Sequence, residues 1–139
     1  MRIADIMTPT VHLIGAKESV RSAALKMAEA DCGALPVAND DRLVGMITDR
    51  DITTRVVATG LDPAKCSVAS VMSPGVKYCF ADDEAGEVAA NMAEIQLRRL
   101  PVIDRDKRLV GMLSLGDMAL KPESQGEAGE ALSGIVQPT

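Results

Sequence analysis

The sequence predicts an α/β fold built from two similar halves, and two observations lead to that prediction. Short apolar runs of strand length alternate along the chain with longer segments in which apolar residues recur at helical spacing. The whole pattern then returns once, displaced by about 65 residues. We therefore expect an α/β (α+β) sandwich in which each half contributes a strand–helix–strand–strand–helix unit.

The repeat is clearest in three short motifs that occur in the same order in both halves. The matching pairs are Met7-Thr8-Pro9 with Met72-Ser73-Pro74, Leu35-Pro36-Val37 with Leu100-Pro101-Val102, and Gly45-Met46-Ile47-Thr48-Asp49-Arg50-Asp51 with Gly111-Met112-Leu113-Ser114-Leu115-Gly116-Asp117. The offset grows by one residue in a polar turn, where a surface hairpin tolerates an insertion. The predicted repeats span residues 1–60 and 66–120, and the tail 121–139 has no counterpart.

The first repeat reads as alternating strands and helices with recognisable boundaries. Its predicted elements are, in order, a strand at 11–14, a helix from 19 to about 31, strands at 34–38 and 43–47, and a helix from 48 to 60. Ser19 can cap the first helix because its hydroxyl can accept a free backbone N–H. Pro36 favours an edge strand or a strand start because proline has no N–H to donate.

The second repeat follows the same order. Its predicted elements are a strand at 76–80, a helix capped by Asp83, strands at 100–103 and 109–113, and a short helix opened by Ser114. The tail is rich in Gly, Glu, Pro and Ser, a composition that by itself favours flexibility. Apolar residues at 131–132 and 135–136 nevertheless predict that the tail docks on the body or on a second subunit.

Composition narrows the class of protein. At 139 residues the chain has the length of one compact domain, and its net charge of −5 argues against nucleic-acid binding. Three scattered cysteines fit reduced thiols, and neither an apolar run long enough to span a membrane nor the apolar core of a signal peptide is visible. The single histidine, His12, has no partners for a metal site or a catalytic triad. We expect a cytoplasmic protein that is not an enzyme.

The repeated Gly-x-x-[Thr/Ser]-x-x-Asp motif places a hydroxyl and a carboxylate one turn apart where a strand hands over to a helix. Thr48 and Ser114 are candidates to bind phosphate at a helix N-terminus. Asp51 and Asp117 are candidates to accept hydrogen bonds from ribose hydroxyls. The same spacing is typical of a capping box, which needs no ligand, but two copies in equivalent places favour ligand binding.

Two further groups of residues complete the candidate sites. Arg99, which precedes the second Leu-Pro-Val motif, and Arg50, which lies inside the first Asp-containing motif, are the candidate phosphate-binding cations. The first repeat has Gly33-Ala34 where the second has Arg98-Arg99, which predicts two chemically unequal sites. The residues predicted to line an adenine pocket are Val11, Leu35, Pro36, Val76, Leu100 and Pro101.

Over residues 3–120 the chain resembles a tandem pair of cystathionine-β-synthase-type (CBS) domains, also called a Bateman module, and in particular the small stand-alone prokaryotic members. The resemblance implies a pseudo-twofold pair that dimerises into a flat disc. Because no effector domain is visible in the sequence, we expect the module to act on a separate effector protein. The resemblance also implies binding of AMP, ADP, ATP or S-adenosylmethionine between the repeats. We predict neither a cofactor nor a metal site. The alternative is a ligand-free structural or interaction dimer, in which the motifs are only helix caps.

Overall fold

The computed structural model describes residues 1–9 and 11–138 and divides into two compact units. The first, here called the central unit, is the continuous stretch His12–Val76. The second, the terminal unit, joins Met1–Val11 to the chain from Lys77 onward. The compact units therefore differ from the sequence repeats, because the N-terminal segment that opens the first repeat packs with the second.

The central unit contains a three-stranded sheet and short helices. Its elements are β1 (Ile14–Gly15), α1 (Val20–Ala30), β2 (Ala34–Asn39), β3 (Arg42–Thr48), α2 (Asp49–Ile52), a π-helical turn (Thr53–Val57) and α3 (Val68–Val71). The sheet order is β1-β2-β3, with β2 parallel to β1 and antiparallel to β3. Apolar residues from these elements form one core around Leu35, Val37 and Ile47, which are fully buried.

The terminal unit repeats this topology and adds a helix. Its elements are a 3-10 helix (Ile3–Asp5), β4 (Cys79–Phe80), α4 (Ala85–Ile95), β5 (Arg99–Ile103), β6 (Leu109–Ser114), α5 (Leu115–Leu120), a second 3-10 helix (Pro122–Ser124) and α6 (Gln125–Ile135). The sheet order is β4-β5-β6, with one parallel and one antiparallel pair. The predicted α/β fold class and the strand–helix–strand–strand–helix order are confirmed in both units, although the first strand of each is only two residues long.

The helix caps were predicted correctly at one helix and wrongly at its repeat. Ser19 caps α1, since its Oγ accepts the Ser22 N–H at 3.1 Å. Asp83 does not cap α4: the N-cap is Glu84, which makes no side-chain capping bond. The Asp83 carboxylate instead accepts the Phe80 N–H at 2.9 Å and so closes the turn before the helix.

The prediction that Pro36 marks an edge strand or a strand start is wrong, because β2 is the middle strand and Pro36 is its third residue. Pro36 lies opposite Met46, whose N–H and carbonyl both bond to Ser73, at 3.1 and 2.8 Å, rather than to β2. The missing proline N–H therefore removes no bond between β2 and β3. Pro101 of β5 lies opposite Met112 of β6 and repeats this arrangement.

The tail forms a helix, α6, that packs on α4 and α5 of the terminal unit. Ala128 and Ala131 are buried on its inner face. The side-chain amide of Gln96 donates to the carbonyls of Gly134, at 3.2 Å, and Gln137, at 2.9 Å. Packing and the hydrogen bonds from Gln96 thus order a segment whose composition favoured flexibility. Across residues 1–9 and 11–138, every helix is too short or too polar to cross a membrane.

Candidate functional site

The motif of the central unit forms a closed capping box at the start of α2. The Oγ1 of Thr48 accepts the Asp51 N–H at 3.1 Å, and the Oδ2 of Asp51 accepts the Thr48 N–H at 3.0 Å. The strand therefore passes into the helix with both backbone donors satisfied. The spacing in the sequence predicted this pairing, and it uses only one of the two carboxylate oxygens.

The terminal unit builds the same box at the start of α5. The Oγ of Ser114 accepts the Asp117 N–H at 3.0 Å, and the Oδ2 of Asp117 accepts the Ser114 N–H at 2.9 Å. Both carboxylates are half-buried, so part of each remains open to solvent. Because an ionised carboxylate offers about four acceptor positions, capping leaves capacity for a ligand in both units.

The second oxygen of each carboxylate has a different partner in the two units. The Oδ1 of Asp117 accepts a hydrogen bond from the Thr8 hydroxyl at 3.1 Å. The Oδ1 of Asp51 lies 3.9 Å from Nη1 of Arg55, which donates to the carbonyl of Val71 at 2.8 Å. A neutral donor therefore serves one motif, and a guanidinium faces the other.

The Met-[Thr/Ser]-Pro segments explain why each motif begins with a glycine. Thr8 and Met112 exchange two backbone bonds, at 2.8 and 2.9 Å, so the segment from the first repeat lies along β6 of the second. A Cβ at Gly111 would come within 2.6 Å of Met7 Sδ and 2.9 Å of the Thr8 carbonyl oxygen. The motif glycine therefore admits a neighbouring chain segment rather than a ligand, as Gly45 does for Met72 in the central unit.

The sequence did not predict that Thr8 contacts the terminal motif. A signal was present, because a hydroxyl before a proline recurs at Thr8 and Ser73, the same 65-residue offset that separates the Leu-Pro-Val motifs. What the local pattern did not indicate is that each segment packs beside the motif of the other repeat. That exchange places Thr8 next to Asp117, more than a hundred residues away in sequence.

The structure brings Arg99 together with the terminal motif. Arg99 is the direct cross-strand partner of Ser114 between β5 and β6, and directly opposed residues of an antiparallel pair project from the same face. Its side chain is exposed. In the central unit the equivalent partner of Thr48 is Ala34, which carries no charge, so the predicted inequality of the two motifs is present in their cross-strand neighbours.

Arg50 is exposed in the first turn of α2 and follows a second acidic side chain. The Oδ1 of Asp49 accepts the Arg50 N–H at 2.8 Å. A Cβ at Gly33 would lie 2.8 Å from Asp49 Oδ2, so the absence of a side chain at Gly33 makes room for this carboxylate. The central motif therefore contains two carboxylates, those of Asp49 and Asp51, whereas the terminal motif contains one.

The residues predicted to line an adenine pocket fall into two groups. Leu35 and Leu100 are fully buried in the cores of their own units, and Pro36 and Pro101 are buried beside them. Val76, in the central unit, and Val11, in the terminal unit, are half-buried. The two leucines thus serve as core residues, and the adenine pocket stays a prediction.

Cys79 and His12 are the other side chains whose chemistry could serve a site. Burial raises the pKa of the Cys79 thiol to about 12, with a smaller contribution from the nearby Asp83 carboxylate. His12 lines an open groove with Lys26 and Glu29. The described residues contain no group of three or more His, Cys, Asp or Glu side chains that could hold a metal ion.

Comparison with known proteins agrees with this architecture. The model of the CBS domain matches residues 3–58 and again residues 68–122. Hypoxic response protein 1 of Mycobacterium tuberculosis is 41% identical over 116 residues, which are 83% of this chain and 80% of that protein.

Two solved structures extend the similarity to the fold. The crystal structure of Hypoxic Response Protein I with two coordinated zinc ions has a TM-score of 0.79 and 40% identity, covering 86% of this chain and 98% of that one. CBSX2 in complex with AMP has a TM-score of 0.71 and 27% identity, covering 84% and 91%. The chain therefore belongs to the CBS-domain family, of which it contains two domains in tandem.

Proposed function

We propose that this chain is a regulatory module that binds an adenosine-containing ligand of the AMP, ADP or ATP class through its two Asp-containing motifs. The observation that carries the proposal is the free capacity of both motif carboxylates. Asp51 and Asp117 each use Oδ2 for capping and keep solvent-accessible acceptor positions beside a hydroxyl. The relative CBSX2, solved with AMP, supports this ligand class.

In this proposal the roles divide by charge. Asp51 and Asp117 accept hydrogen bonds from the ribose hydroxyls. Because these hydroxyls are neutral donors, the contact does not require an ion pair to be desolvated. Phosphate is bound by Thr48 and Ser114 together with the exposed cations Arg50 and Arg99. Arg99 has the stronger support because it stands directly across from Ser114, whereas Arg50 lies between two carboxylates.

The competing proposal is a structural or interaction dimer in which the motifs only cap helices. The closed capping boxes in both units favour it, since each motif satisfies its own backbone donors without a ligand. In either case we propose that the chain is non-enzymatic, cytoplasmic and homodimeric, and that it acts on a separate effector protein.

Thermal unfolding with AMP, ADP, ATP and S-adenosylmethionine separates the two proposals. A ligand present at 100 times its Kd adds about 2.7 kcal/mol to the free energy of unfolding. That gain corresponds to a rise in Tm of roughly 10 °C for a chain of this length. An unchanged Tm with all four compounds at millimolar concentration would contradict ligand binding and leave the interaction protein as the better account.

A charge-matched pair of variants then tests the assignment of phosphate binding. Arg99→Ala removes the cation opposite Ser114, while Arg108→Ala removes another exposed arginine at the turn end of the same strand pair, roughly 20 Å away along the strand. We expect AMP to bind Arg99→Ala about ten- to a hundredfold more weakly, because a charge-assisted hydrogen bond is lost. Arg108→Ala should bind like the wild type in calorimetry, and equal losses would indicate only a general charge effect.

A further inference from the structure

We propose that Thr8 is a positioning residue of the terminal motif, where its hydroxyl holds the Asp117 carboxylate in the orientation that accepts the two hydroxyls of a ligand ribose. This inference rests on the proposed function and adds to it a residue from the opposite repeat. It also predicts a measurable property of the terminal motif, namely its discrimination between ribose and 2′-deoxyribose.

The Asp117 carboxylate is held from both sides. Its Oδ2 accepts the Ser114 N–H at 2.9 Å, and its Oδ1 accepts the Thr8 hydroxyl at 3.1 Å. The terminal torsion of an aspartate is broad when nothing restrains it. One donor on each oxygen fixes the plane of the carboxylate, and each oxygen keeps a further lone pair for a ligand.

Thr8 is itself held by its backbone. It exchanges two backbone hydrogen bonds with Met112, at 2.8 and 2.9 Å, and its own carbonyl lies over Gly111. Threonine is branched at Cβ, which restricts its side-chain torsion. The hydroxyl is therefore presented to Asp117 from a restrained support, as a well-positioned binding site requires.

The central unit provides a natural comparison. Ser73 makes the equivalent pair of backbone bonds with Met46. Among the described residues, however, its hydroxyl makes no bond to Asp51, whose Oδ1 faces Arg55 at 3.9 Å instead. The same backbone arrangement thus occurs once with and once without the side-chain contact, so Ser73 can serve as a matched control for Thr8.

The consequence is a preference for an intact vicinal diol. A carboxylate fixed in one plane can accept both ribose hydroxyls together, and a 2′-deoxynucleotide can donate only one of these bonds. Loss of the Thr8 hydroxyl should therefore weaken binding of AMP more than binding of 2′-deoxy-AMP. A purely structural role for Thr8 would weaken both nucleotides equally.

Calorimetry with AMP and 2′-deoxy-AMP tests this inference. We use the Asp51→Asn background, which lowers the contribution of the central motif while keeping an oxygen for capping. Thr8→Val should bind AMP about three- to tenfold more weakly, the effect of one hydrogen bond, and should lose that much discrimination against 2′-deoxy-AMP. Thr8→Ser, which keeps the hydroxyl, should restore both, and Ser73→Ala should change neither.

Each outcome decides a different point. If the wild type binds no AMP, the proposed function fails and the role of Thr8 fails with it. If AMP binds and Thr8→Val keeps the wild-type ratio of the two affinities, only the positioning role is overturned. Thr8 is exposed, so folding of the variants is expected; Thr8→Ala provides a second variant if valine lowers the Tm.

Discussion

Replacing Gly111 with alanine tests the contact that joins the N-terminal segment to the terminal motif. An added Cβ would lie 2.6 Å from the Met7 sulphur and 2.9 Å from the Thr8 carbonyl oxygen. The Met7 side chain can rotate away, but the carbonyl belongs to the backbone and accepts the Met112 N–H. The segment must therefore shift as a whole, and Thr8 must move relative to Asp117.

The expected cost follows from that overlap. Overpacking against an element that cannot relax costs about 1–3 kcal/mol, which lowers the Tm of a chain of this length by roughly 3–10 °C. Gly116→Ala, in the same motif, is the matched control, because its Cβ would lie 3.5 Å from Ser114 Oγ, an ordinary contact. In α5 that change should gain up to about 1 kcal/mol from helix propensity.

Urea unfolding followed by far-ultraviolet circular dichroism measures the difference, since the chain has no tryptophan for fluorescence. AMP titration of the same two variants reports whether the displaced segment also weakens binding. We expect Gly111→Ala to be less stable than the wild type and Gly116→Ala to be equal or more stable. Equal stability of the two variants would refute the close approach of Thr8 to Gly111.

Three further predictions concern other parts of the molecule. Gly134→Ala should loosen α6, because its Cβ would lie 2.5 Å from Ala93 Cα, and amide exchange of α6 should accelerate as α6 detaches from α4. The Cys79 thiol should resist alkylation at pH 8, since burial raises its pKa to about 12. Arg105→Gln should raise the Asp82 pKa towards its ordinary value, because hydrogen bonds from Arg105 lower it. Because the pKa of Asp82 is lowered in the folded state, its ion pair stabilises the fold at pH values above the ordinary aspartate pKa. This stabilisation is lost as the pH falls through the pKa that Asp82 has in the folded protein.

Each of these predictions has an internal comparison. Gly129 faces open space on the same helix, so Gly129→Ala should slow amide exchange in α6, and the same direction in both variants would contradict the packing. Cys32 and Cys66 are half-buried and should be alkylated before Cys79. An unchanged Asp82 pKa in carboxyl NMR titration of Arg105→Gln would exclude the ion pair in solution.

Local patterns predicted the order of the elements in both units, but the predicted first strands begin three residues before the observed ones, and the helix predicted at 48–60 is observed as α2 and a π-helical turn that ends at Val57. The alternation of apolar runs and helical faces marked the middle strands and the long helices, because these segments bury one face in a core of aliphatic side chains. Ser19 was a correct cap, since its Oγ accepts the Ser22 N–H while the adjacent Glu18 carboxylate accepts the Gly15 N–H. At the equivalent place in the second repeat the wrong residue, Asp83, was predicted, because two adjacent acidic residues can serve the same turn and only the observed bond to Phe80 decides between them.

Long-range packing was the part that the sequence did not indicate. Pro36 fits a middle strand only because Met46 bonds to Ser73 instead of to β2, and no local signal identifies Ser73 as that partner. The tail was ambiguous for the same reason. Its glycines favour disorder, yet Gly134 is needed for the contact with α4 and the helix end is held by Gln96, 38 residues before it.

The two motifs are unequal for a second reason besides the one predicted. The prediction of two unequal sites rested on the extra arginines, Arg50 in one motif and Arg99 beside the other. The structure adds the partner of the second carboxylate oxygen, a neutral hydroxyl at Asp117 and the Arg55 guanidinium at Asp51. A hydroxyl orients a carboxylate without compensating its charge, whereas a guanidinium lowers its value as an acceptor for another donor. Among the described residues no cation pairs with Asp117, and Arg99 stands across from Ser114. If the proposed roles in ribose and phosphate binding hold, we expect the terminal motif to be the tighter site.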